Sequence, residues 1–238
     1  MELDRIWMMG SRPDVVDWGV VGEIAALRKI NTRDPVDMER YWVTNTSTPP
    51  GLMVAPINTL EELAENAKGN GRSEGFTFAI SGTSGEETGE FQGFVQFTSD
   101  YENALRTKIH ASGRFLFKPD IALWEISYAK YPLSGPHQVA SAVRQGCVLL
   151  VRKLRAGGFY PRVAIIGCVG ANENPGSVQV LKSACFDPIG SISEQPEGII
   201  QYDDEPGLDS VWLLNWSFLN QRLRKRAALR FEKGIEGI

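Results

Sequence analysis

Cysteine is scarce and scattered in this chain of 238 residues: Cys147, Cys168 and Cys185 all sit in apolar segments and none has a close neighbour in sequence. A disulfide framework or a zinc knuckle needs tighter spacing among polar residues, so the three read as buried thiols and no metal is expected. Long hydrophobic runs are missing as well. No stretch reaches the roughly 18 to 20 apolar residues needed to cross a bilayer, and Met1-Glu2-Leu3-Asp4 has neither the basic start nor the apolar core of a signal peptide. The expectation is a cytoplasmic protein with no membrane partner. Charge of one sign is also lacking. A formal net charge of -4 argues against wholesale wrapping by nucleic acid, although it leaves room for a local basic surface. No zinc finger, RNA-binding sheet signature or nucleotide-kinase P-loop is present. What remains is ordinary globular composition, 42% hydrophobic and 23% charged. The length suits one well-buried core with little left for a second, so a single domain is expected over residues 1–216, with 217–238 as a basic helix packed on it or extending from it.

The most informative stretch runs from Ile121 to Phe186. Ile121-Ala122-Leu123-Trp124-Glu125-Ile126-Ser127-Tyr128-Ala129 is rich in strand formers and stops at Pro132. After Ser134-Gly135-Pro136 a helical pattern covers Gln138 to Arg155, with Val143, Cys147, Leu150, Val151 and Leu154 on one face and Gly157-Gly158 at its end. Arg162 to Val169 is too apolar and β-branched to be anything but a buried strand. Asn174-Pro175 then opens a short helix, because Asn174 can cap it and Pro175 lacks only an N–H that would be unpaired there. Val178, Leu181 and Ala184 form its inner stripe.

Elsewhere the signals vary in strength. Val16 to Lys29 reads as a first helix from Val20, Ile24 and Leu27, with Gly19 and Gly22 against it. Asp34-Pro35 starts a helix running through Val36 to Trp42, and Thr59-Leu60-Glu61-Glu62 is a capping box before another that ends near Ala67. Phe76 to Ile80 and Phe91 to Phe97 read as an antiparallel hairpin across the turn between Gly82 and Gly89. Ser99 to Asp120 is a long joint carrying Tyr101, Arg106, Lys108, His110, Arg114 and Lys118; it reads either as a lid or acceptor contact or as an inserted surface helix over Tyr101 to His110. Ile199 and Ile200 start a short strand before the acidic Asp203-Asp204-Glu205, and Val211-Trp212-Leu213-Leu214 is another strand. From Phe218 to Phe231, Leu219, Leu223, Ala227 and Phe231 recur at helical spacing, while Arg222, Arg224, Lys225, Arg226 and Arg230 hold much of the remaining surface. That basic surface suits phosphate backbones or plain solvation.

Taken together, the order of elements resembles the acetyl-coenzyme A dependent N-acyltransferase (GNAT) superfamily over roughly Gly75 to Trp216. In that family a strand feeds a pyrophosphate loop at the head of a helix. The next strand is followed by an Asn, an alanine or serine three residues on, and a Gly-Phe pair closing a short helix; Asn174, Ser177 and Cys185-Phe186 stand at that spacing here, with Gly190 on what would be the hairpin of strands six and seven. The resemblance implies an α/β fold of the α+β kind: a mixed, mostly antiparallel central sheet flanked by helices and splayed between strands four and five. It also implies an acyltransferase that passes an acyl group, acetyl first among them, from acyl-coenzyme A to an amine by direct attack. The acceptor would be an amine-bearing small molecule, a peptide or a modified nucleic acid, and a homodimer is the candidate assembly. A second reading is a noncatalytic protein that has kept the fold and binds RNA or DNA through the basic tail.

Coenzyme A presents a pyrophosphate and an amide-rich pantetheine arm, so its site needs grouped N–H donors and an exposed strand edge. The head of the 138–155 helix supplies the donors, and the resemblance sets His137, Gln138, Val139, Ala140 and Ser141 there. Gln138 stands where the family places Gly, and the family's leading basic residue is absent. His137 reads as a phosphate contact or as a polar first-turn residue. Ile126 and Tyr128 on the strand, with Asn174 and Ser177, complete the donor contacts that the resemblance implies. The resemblance sets Glu125 at the register where several family members carry a general base, and its alternation with Trp124, Ile126 and Tyr128 lets it face away from those core candidates. The family's leaving-group acid, a Tyr seven residues after the helix-opening Asn, is Leu181 here. Tyr128, Ser177 through a water, or a Tyr of the 99–120 segment would substitute for it.

Overall fold

The computed structural model describes residues 25–47, 59, 61–64, 75–82, 89–99, 120–132, 138–156, 162–169, 175–192 and 209–232. The readings for 16–24, for 100–119, for His137 and Asn174, for Ile199 and Ile200, and for 203–205 lie outside those residues. Among the described residues seven strands form a sheet: β1 (Ala25–Arg28), β2 (Gly75–Gly82), β3 (Phe91–Ser99), β4 (Ile121–Lys130), β5 (Arg162–Val169), β6 (Phe186–Ile192) and β7 (Asp209–Leu214). Their order across the sheet is β1-β2-β3-β4-β5-β7-β6. All neighbours are antiparallel except β4 and β5, which are parallel and joined by the helix α2 (Gln138–Ala156). A parallel pair requires such a crossover, because the chain must return to the end where it began. Further helices among the described residues are α1 (Pro35–Thr46), α3 (Pro175–Ser183) and α4 (Trp216–Glu232).

One sequence expectation is corrected. Residues 25–28, taken as the end of a first helix, are strand: Ala25 to Arg28 pair with Gly82 to Ala79. Helical spacing had only Leu27 to offer in this stretch, and the ladder on β2 outweighs so short a periodicity. Gly190 lies on the antiparallel pair of β6 and β7, as the resemblance implies, at a point where the register shifts between Pro188 and Gly190. Exposed Pro188 has no N–H to present and suits the outer strand of the sheet.

Local chemistry explains the elements that were foreseen. Asp34 caps α1 by accepting from the Val36 N–H at 2.9 Å, with Pro35 in the first turn. Thr59 Oγ1 accepts from the Glu62 N–H at 3.1 Å, starting the helical turn that buries Leu63. At the end of α3, Cys185 adopts the left-handed conformation, φ 72°, that the related pattern gives to Gly. Its carbonyl then accepts from the Asn215 N–H at 2.9 Å, and Asn215 Oδ1 caps α4 by accepting from the Phe218 N–H at 2.9 Å.

Strand alternation sorts the sheet into two faces. On one, Phe78, Val95, Phe97, Trp124, Ile126, Val163, Ile165 and Val169 pack with Val143, Cys147, Leu150 and Val151 of α2, Leu181 of α3, and Trp216 and Leu219 of α4. The foreseen stripe of α2 is thus buried, and Leu154 packs against its edge. Gly146 lets α2 approach closely, since a Cβ there would lie 2.9 Å from the Phe97 ring. The Trp216 indole N–H donates to the Val163 carbonyl at 3.2 Å, fixing the start of α4 beneath the sheet. The other face carries two apolar clusters. One is Ile121, Leu123, Ala164, Ile166, Val211 and Leu213; the other joins Tyr41 of α1 and Leu63 to Phe91, Phe94 and Ala129. Cys147 and Cys185 are buried and Cys168 half-buried, all as free thiols.

Helix α1 is held by two cationic clamps. Arg28 of β1 donates to both carboxylate oxygens of Asp37, which also accepts from the Asn31 N–H at 3.0 Å. Arg40 reaches Glu90 at 2.7 Å and lies over the Tyr131 ring at 5.4 Å. Burial pushes the Asp37 carboxyl up, but the bonds from Arg28 and Asn31 and the nearby guanidinium charges outweigh it, leaving its pKa below the ordinary carboxylate value.

Candidate active site

The parallel pair does not run the full length of its strands. Pairing of β4 with β5 begins at Ile121 with Arg162 and ends at Glu125 with Ile166. Beyond that point β4 stays paired with β3, where Ile126, Ser127, Tyr128, Ala129 and Lys130 face Phe97 to Gly93. Likewise β5 stays paired with β7, where Gly167, Cys168 and Val169 face Trp212, Val211 and Ser210. The two strands therefore part at Glu125 and Ile166. Backbone N–H and C=O groups that would have closed the ladder are left facing a gap, and a sheet edge of this kind can pair with an extended amide-bearing chain.

Both helices that flank the gap begin at its open side, since α2 follows the end of β4 and α3 follows the end of β5. The first N–H groups of α2, from Gln138 onward, have no partner within the helix and carry the positive end of its dipole. Val139 is buried in the core and Ala140 is half-buried. Ser141 is buried, and its Oγ accepts from Gln145 Nε2 at 3.4 Å, so its side chain is turned inward. In α3, the carbonyl of Ser177 accepts from the Tyr128 hydroxyl at 3.0 Å. This bond spans the gap from β4 to the head of α3. Burial pushes the Tyr128 phenol well above its ordinary pKa, keeping it protonated across the physiological range.

Glu125 lies where the strands part, half-buried, on the sheet face opposite Trp124 and Ile126. Its cross-strand partner on β3 is Thr98, and the next pairs on that face are Ser127 with Gln96 and Gln96 with Thr77. A polar row thus crosses three strands between the two apolar clusters of that face. The structure brings together Tyr128 and Ser177, and separately Ile126 with the core around Val139. It sets Glu125 on the reverse face of β4 from Tyr128.

Two features of the site were not read from the sequence. The first is the polar row, although Gln96 and Thr98 alternate with Val95 and Phe97 and so mark a mixed face. The second is the contact of Gly167 with Leu181. Gly167 interrupts an otherwise bulky strand, and such an interruption signals close approach. The Leu181 side chain lies over it, fully buried. The basic residues of α4 divide: Arg222 is half-buried and donates to the Ser183 carbonyl at 3.3 Å, whereas Arg224 and Lys225 are exposed. Among the described residues no helix is long and apolar enough to cross a membrane.

No protein-family model matches the chain, and no curated protein sequence does. Solved structures do resemble it. Mutant forms of the spermidine/spermine N-acetyltransferase SpeG from Vibrio cholerae align with 84% of this chain and 99% of their own, at 14% identity and a TM-score of 0.52. A further mutant of the Vibrio cholerae spermidine N-acetyltransferase aligns with 83% of this chain and 97% of its own, at 16% identity and a TM-score of 0.51. A chimera of that enzyme with hSSAT covers 83% and 98% at 13% identity and a TM-score of 0.50. At such identities the likeness speaks to fold. With a mixed seven-stranded sheet, its single parallel pair parting at Glu125 and Ile166 and helices opening onto the gap, the chain has the fold of the GNAT N-acetyltransferases.

Proposed function

We propose that the protein transfers an acyl group from acyl-coenzyme A to an amine. The observation that carries this reading is the gap between β4 and β5, opened beyond Glu125 and Ile166 and flanked by the heads of two helices. A pantetheine arm would lie along the free edge of β4 at Ile126 and Tyr128, its amides completing the interrupted ladder, with Asn174 and Ser177 on its other side. The pyrophosphate would rest on the N–H groups from His137 to Ser141, which suit an anion without needing a basic side chain. The acceptor amine would approach along the polar row. Spermidine and spermine are named for the structural neighbours; the acceptor of this chain is an amine.

In the transfer, the amine first loses a proton to Glu125, directly or through one water. Its lone pair attacks the thioester carbonyl carbon, the new C–N bond forms, and the C–S bond breaks to release the coenzyme A thiolate. We assign Tyr128, kept protonated by burial, to give that sulfur a proton and to recover one from the newly acylated nitrogen, directly or through water. Ser177 positions it through the carbonyl that holds its hydroxyl. We take residues 1–216 as one domain and 217–238 as a basic C-terminal helix packed on it, since Leu219 shares the main core.

The test joins binding to turnover. Calorimetry should detect coenzyme A, and Glu125→Gln should lower turnover by roughly 10² to 10⁴ while changing donor affinity much less, with the ascending limb of the pH profile weakened or lost. Absence of heat at millimolar coenzyme A would favour a noncatalytic protein of this fold. An unchanged profile and turnover would move the base away from Glu125.

A further inference from the structure

The point where β4 and β5 part is closed on its helical side by three apolar groups. Ile126 and Gly167 are the first residues beyond the last paired positions, Glu125 and Ile166, and both face α3. Leu181 lies over them. A Cβ placed on Gly167 would stand 3.0 Å and 3.2 Å from the two Leu181 methyl carbons and 3.5 Å from Ile126 Cγ2. Leu181 is 1% exposed and Ile126 4%. No room for even one added methyl group remains at this spot, because ordinary carbon contacts need about 3.5 to 4.0 Å.

The inference rests on the acyl transfer proposed above. A donor whose arm follows the gap brings its thioester to the point of parting. The amine must come from the Glu125 face, and the arm itself occupies the gap. The acyl chain is left with the direction in which Leu181 stands. We propose that Leu181, seated on Gly167 and Ile126, gauges the acyl group and restricts the donor to acetyl. Each is a specificity residue in this assignment and none handles a proton. A packed apolar pocket discriminates one methylene by about 10- to 200-fold. The glycine is integral to the device: by carrying no side chain it lets Leu181 sit low enough to close the end of the gap.

Direct binding tests this without knowledge of the acceptor. Free coenzyme A, acetyl-, butyryl- and hexanoyl-coenzyme A would be titrated calorimetrically into the full chain, each affinity expressed relative to free coenzyme A in the same protein. In the unaltered protein acetyl-coenzyme A should match free coenzyme A, while the butyryl and hexanoyl forms should bind at least about 10-fold more weakly. Leu181→Ala should bring the longer donors to within about threefold of acetyl, since removing the branched end leaves a cavity that they fill. Leu181→Val is the milder variant should the alanine form fail to fold, and it should relax the butyryl penalty alone. Equal binding of all four donors by the unaltered protein overturns the gauge. So does a chain-length penalty that Leu181→Ala and Leu181→Val both leave intact. If free coenzyme A itself does not bind, the acyl transfer reading falls, and the gauge with it; donor binding with the wrong length dependence defeats the gauge alone.

Discussion

Replacing Arg28 by Met asks how firmly α1 is held on the sheet, and the expected loss can be worked from the contacts. Arg28 supplies two of the three hydrogen bonds to the Asp37 carboxylate, whose side chain is 6% exposed. Methionine keeps the aliphatic bulk but leaves a buried charge with one N–H. Breaking a fully buried pair this way costs about 3 to 5 kcal/mol. Arg28 is itself 30% exposed, so water reaches the vacated side and the figure is discounted to about 2 to 3 kcal/mol. The sign of the pH dependence follows from Asp37. Its carboxyl is held below the ordinary value, so its contribution is fully present above the unfolded pKa, about 3.9, and is lost as pH falls through the folded pKa. In Arg28→Met burial acts unopposed by that guanidinium and the carboxyl titrates higher. The deficit should therefore be largest near neutrality and should shrink on acidification, closing only below the parent's lowered folded pKa, where both proteins carry a protonated Asp37. Urea unfolding of the parent, Arg28→Met, Asp37→Leu and the double variant, at neutral and acid pH, gives both quantities. A coupling energy above about 1.5 kcal/mol is expected at neutral pH. A neutral-pH loss under about 1 kcal/mol, equal losses at the two pH values, or additive single changes would refute the reasoning.

Two further changes probe the sheet and the gap. Gly93 has φ 148°, and a Cβ there would strike the Ala129 carbonyl oxygen of the neighbouring strand, so Gly93→Ala should cost about 3 kcal/mol in urea unfolding; a loss within experimental error would mean that β3 relaxes freely at its register shift. Tyr128→Phe removes the hydroxyl that bonds Ser177, and stability should fall by about 1 kcal/mol. Turnover should fall about 10- to 100-fold, the low end of what a positioned acid gives, with the ascending pH limb that reports Glu125 retained. Unchanged turnover would remove Tyr128 from the chemistry and leave it as a strut.

Much of the fold was legible before any coordinates. Asp34-Pro35, Thr59 with Glu62, and the hairpin strands around 76–80 and 91–97 are written in short-range patterns, because caps and pleats depend on residues a few positions apart. The apolar stripe of α2 and the β-branched run of β5 were visible for the same reason. Residues 25–28 were misread because their conformation is set by a partner strand some fifty residues away, where the Arg28 side chain finds Ser81 at 2.8 Å.

The division is sharper at the site. Sequence alone determined which segments are strand and helix between Ile121 and Phe186, and alternation alone put Glu125 and Tyr128 on opposite faces of one strand. It also fixed that a Leu, not a Tyr, stands seven residues after Asn174. Tertiary structure decided where β4 and β5 stop pairing, that Tyr128 reaches Ser177 across the resulting gap, and that Leu181 comes down on Gly167 beside Ile126. Those outcomes depend on how two strands twist apart while each keeps its other neighbour. Twist and parting are properties of the assembled sheet, summed over contacts far apart in the chain, and no window of sequence contains them.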